Sequence, residues 1–172
     1  MSKLTIRELM ESDWRTYREL RLWSLQDSPD AFDSTYEEEE QWPDDIWRSG
    51  FTSKEGAALQ LPLIAELNGI AIGLAWGVVA DQNDQQACLN QMWVSPSARG
   101  MGIGHKLMLR VIDWAKDLAL DAIVLSVPTS NPGTMHFYRA AGFQPNGERT
   151  ELREGTELTA QPMRLELYDD AA

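Results

Sequence analysis

Gln91-Met92-Trp93-Val94-Ser95-Pro96-Ser97-Ala98-Arg99-Gly100-Met101-Gly102-Ile103-Gly104-His105-Lys106-Leu107, continuing to Trp114 and Leu118, is the stretch around which the chain is organised. The alternating run from Cys88 to Val94 stops at Pro96, a basic and glycine-rich turn follows from Arg99 to Gly104, and apolar residues then recur at helical spacing. Ile103, Leu107, Val111, Trp114 and Leu118 share one stripe of a helix, while His105, Lys106, Arg110, Asp113 and Lys116 fall largely off it. The order is strand, phosphate-sized loop, helix. Gly100, Gly102 and Gly104 permit positive φ and let main-chain N–H groups converge without a Cβ in the way, at the positive end of a helix dipole. Arg99 adds a permanent cation. Together these residues make an anion cradle suited to a pyrophosphate.

Glycines before a helix also occur as plain tight turns, so other nucleotide loops are weighed first. A dinucleotide fold places its glycines in a first βαβ unit with an acidic residue about 20 positions on. Here the loop is mid-chain and no second half follows. A P-loop ends in Gly-Lys-Ser/Thr, whereas this turn ends Gly104-His105-Lys106. Val94-x-Pro96-x-x-Arg99-Gly100-x-Gly102-x-Gly104 resembles the acyl-CoA motif of the GNAT-type N-acetyltransferases. Asn131-Pro132-x-x-Met135-x-Phe137-Tyr138-x-x-x-Gly142-Phe143 resembles that family's second signature, in the expected order and distance. The resemblance runs from about Leu61 to Leu167 and, more loosely, over the first strand and helix.

The length of 172 residues suits a single domain, 1–172, with a core that needs no disulfide or metal. A net charge of −12 argues against nucleic acid or an anionic membrane as partner and favours a cationic amine, although runs such as Glu37 to Glu40 and Asp169-Asp170 also read as solvated faces. The seven tryptophans read mainly as core. Cys88 is the only cysteine, which excludes an internal disulfide, and within an apolar strand it reads as a buried, inert thiol. No metal-ligand spacing occurs. The start, Met1 to Thr5, lacks an apolar signal core and no run approaches a membrane span, so a cytoplasmic protein is expected.

Leu4 to Arg7 reads as a strand, and Ser12-Asp13 as the N-cap of a helix that ends around Gln26 to Ser28, before Pro29. Asp30 to Tyr36 is a loop. Glu37 to Glu40 with Trp42 to Trp47 reads as one acidic helical segment with both tryptophans inward, and Ser53 to Ala57 as a connection. Leu61 to Leu67 and Ile70 to Val79 form a hairpin at Asn68-Gly69, with Gly73 and Gly77 marking a bulge or close approach. Ala87 to Val94 is the next strand. Ala122 to Val127 is a buried strand parallel to it, and Asn131 or Ser130 caps a helix from Pro132 to Ala140 that Gly142 ends. The last strands come from Phe143 onward and Met163 to Leu167, with Glu148 to Gln161 as a polar hairpin loop. The expected fold is α/β (α+β): a mixed, largely antiparallel twisted sheet whose central strands splay, flanked by helices.

The resemblance implies a site as well as a fold. Acetyl-CoA would be held by Met92, Trp93, Val94, Arg99, Gly100, Met101, Gly102, Ile103, Gly104, His105, Asn131 and Tyr138. Within that set the Met92 and Val94 main chain pairs with the pantetheine arm, and the Arg99–His105 amides take the pyrophosphate. Tyr138 is the general acid and Asn90 a second catalytic candidate; Phe32, Tyr36, Glu37 and Gln91 form the acceptor wall. Relatives often carry a carboxylate where this chain has the amides Asn90 and Gln91, so the base stays open between a water on those amides, Glu37, or an amine that arrives neutral. The expected activity is acetylation of a small primary amine by direct attack in a ternary complex, without metal and without an acyl-enzyme. An acyl-CoA-binding regulatory module, a protein N-terminal or lysine acetyltransferase, and an O-acetyltransferase are the alternatives. A homodimer is left open.

Overall fold

The structure, a computed structural model, describes residues 1–52 and 59–168. The elements run β1 (Leu4–Glu8), α1 (Trp14–Asp27), α2 (Tyr36–Glu39), α3 (Asp44–Ser49), β2 (Leu59–Leu67), β3 (Ile70–Val79), β4 (Gln86–Val94), α4 (Ile103–Asp117), β5 (Ala122–Pro128), α5 (Pro132–Ala140), β6 (Gln144–Pro145), β7 (Thr150–Glu151) and β8 (Thr159–Glu166). They build one eight-stranded sheet in the order β1-β2-β3-β4-β5-β8-β6, with β7 also paired to β8. Among the described pairs β4 and β5 alone run parallel, because α4 carries the chain back across the sheet between them. The mixed, largely antiparallel sheet is the one the sequence implies. No helix among the described residues is long and apolar enough to cross a membrane.

Alternation along the strands sorts the core to two faces. Leu61, Leu63 and Ala65 of β2 pack with Leu107, Met108 and Val111 of α4, whereas Ile64 of β2 and Leu74 and Trp76 of β3 pack under α1 with Tyr17 and Leu25. Truncating fully buried Leu107 or Leu74 to Ala costs about 2–5 kcal/mol. The hairpin turn has φ of 53° at Asn68 and 81° at Gly69, the left-handed pair that an Asn-Gly turn supplies. At Gly77 the close neighbour is a side chain rather than another strand, since a Cβ there would lie 2.9 Å from the Trp114 ring.

Two local features open the sheet. The β3–β4 register slips between Leu74 and Trp76, so Gln91 and Met92 together oppose Ala75, and Gln91 adopts a left-handed φ of 55°. The extra residue exchanges the faces: Ala87 and Leu89 point to the α4 side, and Trp93 points to the α1 side. Pairing of β4 with β5 covers Gln86↔Ala122 to Cys88↔Val124 and then ends, while β5 stays paired to β8 along its whole length. From Leu89 onward the two central strands part.

Several local expectations need correction. Asp13 precedes α1 without capping it, because its carboxylate is taken by Met10 N and Arg7. The acidic segment is two short helices: a reciprocal Thr35–Glu38 capping box starts α2, and Pro43 starts α3. Trp47 is 1% exposed as expected, but Trp42 is 40% exposed. Glu39 turns inward, 2% exposed, so that run is not a uniform solvated face. β8 begins at Thr159 and pairs with β7, so the polar loop is shorter than Glu148 to Gln161. Ser53 to Ala57 and Asp169-Asp170 lie outside the described residues.

Candidate active site

The glycine loop is shaped by conformation rather than crowding. Gly100 and Gly102 have φ of 80° and 78°, and a Cβ on either would meet nothing within 4 Å. An L side chain there is strained although space is free, and the free space fronts the start of α4. Gly102 has no side chain with which to cap α4, so the amides of its first turn stay open to an anion. Lys106 N, bonded to Gly102 O at 3.1 Å, closes the turn behind them. Gly104 departs from expectation: it is helical, and a Cβ there would touch the Phe137 ring and Val94 at 3.7 and 3.8 Å, ordinary contacts. Ile103 is buried and offers the loop only main chain, while Met101 and His105 are exposed.

Arg99, the permanent cation of the loop, is already engaged within the protein. Its Nε donates to Val94 O at 3.0 Å and its Nη2 to Asp27 at the end of α1. Asp27 further accepts from Trp93 Nε1 at 3.0 Å and Ser28 Oγ at 2.7 Å. Burial pushes the Asp27 carboxyl up, and the bonds from Ser28, Trp93 and Arg99 outweigh it, leaving the pKa below the ordinary value. The clasp ties the loop to α1. Trp93 is 5% exposed, its ring edge-on to Trp23, so its side chain belongs to the wall's packing.

Along β4, Ser95 N donates to Ile72 O at 2.8 Å. Main-chain groups alternate, so Trp93 also faces β3 while Val94 faces the gap left by β5. That gap is a cavity of about 1310 Å³ that reaches from Arg99 past Asn90 and Gln91 to β5 and α5. Tyr138, 5% exposed, lines it from α5 with its ring against Phe137 and Phe143. Its hydroxyl makes no hydrogen bond among the described residues. Burial raises its pKa above the ordinary phenol, so Oη keeps its proton at neutral pH. Asn131 lies at the mouth and caps α5 through Gly133 N at 3.0 Å. The half-buried Cys88 thiol also lines the gap, its pKa raised by burial and by Asp84, which keeps it protonated.

Residues 6–143 match the family model described as the acetyltransferase (GNAT) family. The chain belongs to the GNAT acetyltransferase family. The match reaches back to β1 and α1, further than the two motifs alone do. Within the family, the chain is 28% identical over 111 residues to the L-amino acid N-acyltransferase MnaT of Escherichia coli, covering 61% of this chain and 63% of that one. It is 26% identical over 101 residues to the L-2,4-diaminobutyric acid acetyltransferase of Nocardia farcinica, covering 59% of this chain and 48% of that one. The chain thus spans about half to under two thirds of the length of these curated relatives. In fold it is similar to yncA, a candidate acetyltransferase from Salmonella typhimurium solved with its cofactor acetyl-CoA, with a TM-score of 0.77, 21% identity, and coverage of 99% of this chain and 97% of that one.

The side of the cavity that the sequence reading assigned to the acceptor differs most from that reading. Asn90 is exposed in the wall, and Gln91 turns its Oε1 to the Tyr17 hydroxyl at 2.9 Å. Burial pushes the Tyr17 phenol up to about 12. Phe32 lines the cavity. Tyr36 and Glu37 do not: the capping box that starts α2 sets Tyr36 against the second core and leaves Glu37 in solvent. Asp30 and Asp33, in the loop that the resemblance assigns to the acceptor wall, also line the cavity, and Arg21 is a wall residue that the sequence reading missed. For Arg21 a signal existed, a cation on the apolar stripe of α1 one turn after Tyr17.

Proposed function

We propose that this protein, acting as one domain, transfers an acetyl group from acetyl-CoA to the primary amine of a small amino-acid-like metabolite by direct attack in a ternary complex. The observation that carries the proposal is the parting of β4 from β5, with an uncapped helix start at one end of the gap and the unbonded Tyr138 hydroxyl within it. The site suits an extended thioester carrying a pyrophosphate. Gly100 and Gly102 clear a cradle before the α4 amides, and the Met92–Val94 edge offers main-chain pairing as an added strand does. The two relatives are named for L-amino acids and for diaminobutyric acid as acceptors, which supports the acceptor class.

Acetyl-CoA, when bound, supplies the activated acyl carbon. The gap-facing amides of β4 would hydrogen-bond the thioester oxygen and stabilise charge that develops there. Tyr138 Oη would protonate the departing sulfur; its raised pKa ensures that the proton is present. Asn90 and Gln91 are amides and take no proton, so they would orient the amine or a water beside it. The nucleophile is the neutral amine fraction, and the proton it loses as the C–N bond forms and the C–S bond breaks would pass to water, from which the Tyr138 phenolate is reprotonated. Gln91 is already held by Tyr17, which leaves Asn90 as the freer of the two.

Calorimetry with acetyl-CoA and CoA, followed by thiol release against an amine panel, tests the reading. Binding with amine-dependent thiol release is expected. No association with either coenzyme overturns it, and binding without release on any acceptor points to an acyl-CoA-binding module instead.

A further inference from the structure

One polar group in the acceptor wall has no partner. Arg21 is 3% exposed and lines the cavity, yet its Nη1 makes no hydrogen bond among the described residues. Its other donors are used: Nε and Nη2 grip Glu39 Oε2 and Oε1 at 2.9 and 2.7 Å. The Phe32 ring covers the guanidinium at 4.7 Å, which fixes its plane. A buried N–H without a partner, in a residue that lines a cavity, is rare unless something completes it. Trp47 Nε1 is the other such atom, but Trp47 is packed among Tyr17 and Trp42 and lines no part of this cavity.

Resting on the function proposed above, we infer that Arg21 Nη1 binds the carboxylate of the acceptor, which makes the substrate an amino acid rather than a simple amine. Arg21 follows Tyr17 by four residues on α1, roughly 6 Å along the axis. Tyr17 in turn is bonded to Gln91 beside Asn90, so the carboxylate site and the amine site are close neighbours. The wall also carries the exposed carboxylates of Asp30 and Asp33, so its charges are of both signs, as a zwitterion requires. Glu39 already balances one guanidinium edge, and the open nitrogen therefore reads a carboxylate by one charge-assisted bond rather than by a fork.

The test compares α-amino acids with their own carboxamides and decarboxylated amines by kcat/KM. The wild-type protein should prefer the carboxylate form by about tenfold or more over both. Replacing the buried pair together, Arg21→Met with Glu39→Met, keeps the site apolar and filled and should bring that ratio towards one. Glu39→Gln, which keeps Arg21 and removes its rival carboxylate, should lower KM for amino acids specifically. Ratios within about twofold across all matched sets overturn this inference and leave amine acetylation standing. Equal rates for carboxylate and carboxamide overturn it too, by showing that a carbonyl oxygen suffices. Absence of thiol release with every compound overturns the inference together with the function it rests on.

Discussion

The two ends of the cavity are built from different atoms. At the coenzyme end the contacts on offer are main-chain amides, those of the Gly100–His105 turn and of the β4 edge, held in place by two left-handed glycines and a helix start. At the end proposed for the acceptor they are side chains: Arg21 and Phe32 from α1 and the loop after it, and Asn90 and Gln91 from the bulge. Main-chain recognition suits a ligand part that never varies, because any sequence with the right φ angles provides it. Side-chain recognition can change one residue at a time, which suits a variable acceptor. Tyr138 lines the cavity between the two ends, where the proposed function puts its proton donor.

Removing that shared group should produce the largest effect. Tyr138→Phe is expected to lower kcat by about 10²-fold or more in steady-state kinetics while coenzyme affinity from calorimetry stays put. Its folded pKa lies above the ordinary value of 10 because of burial, so its neutral form contributes stability below pH 10 that is lost as pH rises through the folded pKa. An alkaline melting series should therefore find the variant less sensitive to high pH than the parent. An unchanged kcat would remove Tyr138 from the chemistry.

The acceptor end should break through stability as well as rate. Gln91→Ala leaves the buried Tyr17 hydroxyl without its acceptor, an expected loss of about 1–3 kcal/mol in urea unfolding, with a raised KM for the amine and little change in CoA binding. The coenzyme end should break the other way. Gly102→Val places a β-branched residue at φ 78° and should weaken coenzyme binding by about tenfold, from a conformational cost of roughly 1–2 kcal/mol, whereas Gly104→Ala, helical and with ordinary contacts, should bind nearly as the parent does. If both glycine variants lose affinity equally, crowding rather than conformation governs the loop.

The smallest effect belongs to the clasp that joins the ends. Asp27→Asn releases Arg99, half exposed, and should cost no more than about 1 kcal/mol. The sign of its pH dependence is distinctive. Asp27 has a lowered folded pKa, so its contribution is present above the ordinary value of 3.8 and fades as pH falls through the folded one; the parent should lose more stability than Asp27→Asn over that acid range.

The sequence by itself determined the hairpin at Asn68-Gly69, the α4 stripe, the glycine turn and the α5 cap, because periodicity, positive φ and capping are local demands that a few neighbouring residues must meet. It did not determine that Arg99 would meet Asp27 rather than an anion, that Glu39 would leave its acidic run to pair with Arg21, or that Tyr17 would hold Gln91. Those partners lie 72, 18 and 74 positions apart in the chain. Tertiary packing decided them, since only the docking of α1 on the opened sheet and of α2 on α1 brings these groups within hydrogen-bond reach, and burial then makes an unpaired charge too costly to leave alone.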